Sequence, residues 1–224
     1  MDVITPFGIP LWAELAAVGL GALQGALFAG GFTDRRIDVL GAVLVGIGVA
    51  LGGSLLRDVL LGEPPVVIHG DWYVAVAAAT ALLGLTLQRL FARLDPLIVA
   101  LDAVTIGLFG AIGATKALAL GVPPVPAVFV GAAAAVGGSV LRDVTLNLPV
   151  ALLHVGSLYA IAAAAGAALL VVLVAAGVPV LYSAVAGVVL TTAVRLLAVR
   201  FDWSVPEQRA LVVRRRRQGP PSAP

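Results

Sequence analysis

Gly52-Gly53-Ser54-Leu55-Leu56-Arg57-Asp58-Val59 recurs 85 residues later as Gly137-Gly138-Ser139-Val140-Leu141-Arg142-Asp143-Val144. The match runs on past the string, pairing Leu61 with Leu146, Pro64 with Pro149 and His69 with His154. Chance does not place such a string twice in one chain, so the chain is internally duplicated. Each copy lies in an apolar run of membrane-spanning length. A bilayer core about 30 Å thick takes roughly 20 apolar residues of helix. Seven runs qualify, over 11–31, 38–61, 72–91, 97–118, 124–146, 152–176 and 179–200. The motif therefore sits in the second helix of each of two three-helix units. Three is odd, so the second unit enters the membrane from the opposite face, and a pseudo-two-fold axis in the membrane plane relates the two. The expected fold is an all-α membrane protein of seven transmembrane helices, two inverted three-helix repeats (1–96 and 97–177) plus a seventh helix (178–201). Residues 202–224 form a basic tail whose Gly-Pro-Pro-Ser-Ala-Pro end reads as disordered.

Composition agrees. The 224 residues are 61% hydrophobic and 12% charged, with a mean hydropathy of +1.09. A soluble domain carries roughly 25% charged residues, so too little polar side chain remains to clothe a water-facing surface. The separators are loop chemistry: Thr33-Asp34-Arg35-Arg36, Gly62-Glu63-Pro64-Pro65, Arg93-Leu94-Asp95-Pro96, Gly121-Val122-Pro123-Pro124, Pro149 and Gly177-Val178-Pro179. The start Met1-Asp2-Val3 lacks the basic region of a secretory signal, so the first apolar run is expected to stay as an anchor. With the N-terminus outside, the inner side collects Arg35, Arg36, Arg89, Arg93, Arg200, Arg209 and Arg214 to Arg217. The outer side then holds Lys116 beside Glu63 and Asp71. The positive-inside rule thus sets the N-terminus outside and the C-terminus in the cytoplasm. Beside a helix end the arginine run marks the cytoplasmic face rather than a nucleic-acid partner. No cysteine is present, which excludes disulfides and thiolate chemistry. No phosphate loop, His-Glu-x-x-His or serine triad order is found, so neither an enzyme nor a bound cofactor is expected.

Two adjacent glycines weaken a helix by about 1 kcal/mol each relative to alanine. In a membrane, freed carbonyls are tolerable only where protein or water satisfies them. Gly52, Gly53, Gly137 and Gly138 therefore suggest a kink or break that bares carbonyl oxygens to a wet cavity, with Ser54 and Ser139 adding hydroxyl oxygens for a dehydrating cation. The alternative is close helix packing through small residues. Arg57, Asp58, Arg142 and Asp143 are costly in a span and face either a cavity or a partner, or else snorkel to an interface as anchors. Neighbours i and i+1 diverge around a helix, so Arg57 is expected to find its carboxylate elsewhere, with Asp143 the symmetric candidate. Inversion of the repeats counts against that pair. Asp102 and Lys116 line a pore or lie at the two water interfaces. Gln24 and Arg195 are weaker intramembrane polar positions. Glu14 reads as interfacial, and His69 and His154 as loop-packing residues. Trp12, Trp72, Tyr73, Tyr159 and Trp203 read as interface belts.

At the paired Gly-Gly-Ser-x-Leu-Arg-Asp-Val motifs, with a proline six residues past each aspartate, the sequence resembles the prokaryotic branch of the trimeric intracellular cation channel family, also labelled a glycine transporter domain. The resemblance covers about residues 10–200. It implies a homotrimer with an hourglass pore in each protomer, bounded by the second and fifth helices kinked at Gly52, Gly53 and Ser54 and at Gly137, Gly138 and Ser139. It also implies permeation by potassium, with sodium a second permeant, while the preference for arginine over lysine and the alanine richness suggest a bacterial plasma membrane. The family's usual triple glycine stands here as Gly-Gly-Ser in both halves. A secondary carrier of a small zwitterion such as glycine is the rival reading, since broken helices in inverted repeats also suit carriers.

Overall fold

The computed structural model describes residues 9–31, 37–91, 95–153 and 158–203. Within them the chain forms α1 (Leu11–Gly30), α2 (Val39–Leu61), α3 (Asp71–Phe91), α4 (Asp95–Ala119), α5 (Pro124–Thr145), α6 (Tyr159–Ala175) and α7 (Val180–Arg200). Two single-turn 3₁₀ segments, Val66–Ile68 and Ala151–Leu153, follow α2 and α5. Six helices are long and apolar enough to cross a membrane; α6, with 17 residues, is shorter. At about 1.5 Å per residue α6 still reaches roughly 25 Å, the lower end of what a bilayer core needs.

The expected sixth span began at 152, but α6 begins at Tyr159. The apolar run over 150–176 conceals a turn: its first residues coil into the second 3₁₀ segment, whose Ala151 N–H is taken by the Asp143 side chain at 2.9 Å. The first half does the same, with Val66 N–H on Asp58 Oδ2 at 2.8 Å.

Helix ends follow the local chemistry. Asp38 caps α2 by accepting from Gly41 N at 2.7 Å, and Pro123 and Pro179 stand at the N-caps of α5 and α7. At the C-terminal end of α2, Gly62 takes a left-handed conformation (φ 69°) and Glu63 N donates back to Asp58 O at 2.9 Å. At the matching place after α5 the left-handed residue is Asn147 (φ 51°), and Leu148 N donates to Asp143 O at 2.7 Å. Glycine and asparagine are the residues that tolerate this conformation, and the back-bond satisfies carbonyls that lipid could not.

α2 and α5 cross at the centre. Gly48 and Gly52 approach Leu141, whereas Gly53 approaches Ala134, so the two helices run antiparallel. α1 and α3 flank α2, α4 and α6 flank α5, and α7 closes the bundle against α4 and α6. Hence α1, α3 and α5 start from the face where α2 and α4 end, here called the N-face. α5 and α7 end at the opposite C-face. The interior is built of small residues: Ala22, Ala26, Ala50, Ala77 and Ala81 share one buried cluster, and Ala114, Ala117, Ala127 and Ala167 another. Such cores let helix backbones approach closely. Trp12, Trp72 and Trp203 remain exposed, as an interface belt requires.

Candidate functional site

Neither α2 nor α5 is interrupted at its glycines: each is one continuous helix through the motif. Neither helix breaks at its motif, a break being one of the two forms expected there beside a kink, and the glycines serve the close helix crossing. A Cβ at Gly52 would lie 3.2 Å from Gly138 Cα, and one at Gly137 would lie 3.1 Å from Gly53 Cα. A Cβ at Gly53 would collide with Ala134 O, and one at Gly138 with Val49 O. Ser54 Oγ donates to Leu51 O at 2.9 Å and Ser139 Oγ to Val136 O at 2.8 Å, so each hydroxyl keeps its lone pairs for a further contact.

The Arg/Asp pairs depart from expectation. Arg57 Nε donates to Asp58 Oδ1 at 2.7 Å, and Arg142 Nε to Asp143 Oδ1 at 2.9 Å. Neighbours meet because the long guanidinium stem folds back at the last turn of the helix, where the aspartate turns to cap the 3₁₀ segment. Arg57 and Asp143 do not form the cross-repeat pair; inversion sends them to opposite faces. Lys116 Nζ from α4 adds a bond to Asp58 Oδ1 at 2.8 Å. Lys116 is thus buried in an ion pair, with relative exposure of 1%, and is not interfacial. Arg57 is equally enclosed at 2%, and its Nη2 has no hydrogen-bond partner among the described residues. The Arg142 guanidinium instead lies 4.0 Å over the ring of Phe28.

Each half carries a further pair that the sequence did not reveal. Tyr73 of α3 donates to Glu14 of α1, and Tyr159 of α6 donates to Asp102 of α4 at 3.2 Å. Glu14, Tyr73 and Tyr159 are all buried, so the interfacial reading of Glu14 and the belt reading of the two tyrosines are corrected. A carboxylate in lipid-facing position has no partner, whereas a tyrosine at the head of the third helix of each unit reaches it. Asp102 is held further by Gln24 of α1 and, at 3.4 Å, by both Nε and Nη2 of Arg195 from α7. It is an internal hub joining α1, α4, α6 and α7 rather than an interface residue.

Two small cavities flank the crossing. One, toward the N-face, is lined by Glu14, Ser54, Arg57, Tyr73 and Phe109. The other, toward the C-face, is lined by Gln24, Thr105, Phe109, Ser139, Arg142 and Tyr159. Each leaves about 10 Å³ open to the centre of a water-sized sphere, room for about one water. His69 is exposed, its Nδ1 3.1 Å from Pro65 O within the loop. His154, Arg35, Arg36, Arg93, Arg209 and Arg214 to Arg217 lie outside the described residues. No group of three or more metal-ligating side chains occurs among the described residues.

Comparison with known proteins finds the sequence profile of the glycine transporter family twice in this chain, over residues 11–89 and 99–176. The inner membrane protein YadS of Escherichia coli K12, of the group UPF0126, is 30% identical over 198 residues, covering 87% of this chain and 94% of that protein. A UPF0126 membrane protein of Deinococcus radiodurans is 34% identical over 158 residues, covering 70% of this chain and 72% of its own length. Among solved structures, the trimeric intracellular cation channel orthologue of Rhodobacter sphaeroides superposes with a TM-score of 0.78 at 28% identity, over 86% of this chain and 98% of the other. A second structure, from a study of conductance through these cation channels, matches at 0.78 and 28% identity over 88% and 96%.

Proposed function

This chain belongs to the glycine transporter family and with it to the prokaryotic trimeric intracellular cation channels, and from that we propose that it is a passive channel for monovalent cations, assembled as a homotrimer with one pore in each protomer. Potassium is the chief permeant and sodium the second. The observation that carries this reading is the likeness to cation channels, joined to two small cavities on either side of the α2–α5 crossing, each bordered by a motif serine and a motif arginine. Gly52, Gly53, Ser54, Gly137, Gly138 and Ser139 bound the path at its waist. The serine lone pairs and the buried carboxylates supply oxygen ligands for a partly dehydrated ion.

The intramembrane charges balance within each half. Asp58 and Glu14 stand against Arg57 and Lys116 toward the N-face; Asp143 and Asp102 stand against Arg142 and Arg195 toward the C-face. A path lined by balanced pairs presents oxygen without a strong net field, which suits conduction with modest selectivity. The protein works in a bacterial plasma membrane, with the N-face outward and the C-face cytoplasmic, following the arginine placement. No catalytic activity, cofactor or nucleic-acid partner is proposed.

The test is the reversal potential of the purified protein in planar bilayers under a potassium chloride gradient. A steady current reversing near the potassium equilibrium potential is expected. Absence of current with glycine uptake into proteoliposomes would favour the carrier. One feature speaks for that rival: the cavity holding Glu14 and the unpartnered Nη2 of Arg57 offers opposite charges to a zwitterion. Its room for about one water is too small for glycine in this conformation, which ranks the carrier second.

A further inference from the structure

Phe109 of α4 is the one aromatic side chain that lines both cavities beside the crossing. Everything else they share is repeated in kind, since each has its motif serine, its motif arginine and its tyrosine. Phe109 has no such counterpart and stands between the two sets. It is buried, and the ring rests against two glycines. A Cβ at Gly21 of α1 would lie 3.2 Å from Phe109 Cε2, and one at Gly53 of α2 would lie 3.7 Å from Cδ1. The ring therefore fills the slot where α1, α2 and α4 converge at the height of the crossing. Ile9, Ala17 and Ile112 pack with it in one apolar cluster. A cation moving from Ser54 to Ser139 must pass a ring that offers it no oxygen and that leaves no room for its water.

We infer that Phe109 is the hydrophobic gate of the path, a septum that separates the N-face cavity from the C-face cavity and opens when the ring swings off Gly21 and Gly53. The inference rests on the channel reading. It extends that reading by naming the group that stops conduction in this conformation. Apolar constrictions of this kind block ions by excluding water rather than by charge. The two glycines give the ring its seat; larger residues there would displace it.

The chain has no native cysteine, so a single introduced thiol reports the septum directly. Ser139→Cys is placed in the full-length protein in lipid vesicles, and silver ions, close to potassium in size, are applied from the N-face in chloride-free medium. The expected result is slow modification while Phe109 is present and modification faster by roughly tenfold in the Phe109→Ala background, with basal potassium flux raised by a similar factor. Phe109→Leu, which keeps apolar bulk and guards against a merely unfolded alanine variant, should stay close to the parent in both. Equal silver rates in the Phe and Ala backgrounds would overturn the septum. A parent protein that carries no potassium current, yet shows the tenfold difference in silver access, would overturn the channel reading and leave the septum between two cavities standing.

Discussion

Asp58 is fully buried and takes three partners: one oxygen takes Arg57 and Lys116, the other takes the amide of Val66. Among the described residues its counterpart Asp143 takes Arg142 and the amide of Ala151. Removing a buried carboxylate leaves its cations uncompensated, at a cost of about 3–5 kcal/mol. Asp58→Asn strands two buried cations and Asp143→Asn one that is partly exposed and stacked on Phe28. Asp58→Asn should therefore lower the thermal midpoint in detergent clearly more than Asp143→Asn; equal losses would contradict the asymmetry. Arg57 supplies a second prediction. An orphaned buried donor is costly, about 1–3 kcal/mol, and the cavity beside it accommodates about one water. A map of sufficient resolution should show a water within hydrogen-bond range of Arg57 Nη2. The presence of both Arg/Asp pairs was legible in the sequence, but their partners were not. The rule that adjacent helical residues diverge holds for the middle of a helix. Here the aspartate is at the last turn and is pulled round by a 3₁₀ segment that hydropathy cannot register.

At the level of the helices, the glycines were read from the sequence as a kink or break or as a close contact, and the structure shows the close contact in helices that do not break. Propensity argued for weakening, yet a membrane helix keeps its backbone bonds because lipid offers no substitute. Close approach across α2 and α5 is what the missing side chains permit. Gly53→Ala and Gly138→Ala should each destabilise by about 1–3 kcal/mol through overpacking against a carbonyl, whereas Gly70→Ala, where nothing lies within 4 Å, should be silent. Thermal unfolding of the three variants decides it. The seventh helix was legible as a span but not as a participant. Its Arg195 gives Asp102 the cation that α4 gives Asp58 through Lys116. The Arg195 contacts are long, at 3.4 Å, and its side chain and that of Asp102 keep 14% and 13% exposure. A permeant cation can therefore compete for Asp102. Arg195→Gln should lower the half-saturating potassium concentration about threefold, the factor for removing one unit charge ~6 Å away in a water-like dielectric. Arg195→Lys should restore it, and Arg195→Gln in an Asp102→Asn background should have no such effect. A conductance curve unmoved by Arg195→Gln would show α7 to be structural only.

For the whole molecule, the duplication fixed most of the architecture in advance. The apolar runs gave the seven spans, and one string found twice in them gave the inversion. The carboxylate–tyrosine pairs, the charge balance and the septum did not follow, because each needs residues from two or more helices far apart in the sequence, outside the repeated string. The crossing itself has one more consequence. Gly52 meets Gly138 and Gly53 meets Gly137, so the first glycine of each copy faces the second glycine of the other. That is the pairing of an isologous dimer, in which a surface binds itself across a two-fold. The same three-helix unit, inserted in both directions, would make this contact with a copy of itself, without any covalent link between the halves. Residues 1–96 and 97–224 made as separate chains in one cell should therefore find each other in the membrane and co-purify. If they do so, the loop between α3 and α4 records a fusion of two identical ancestors and plays no part in holding them together.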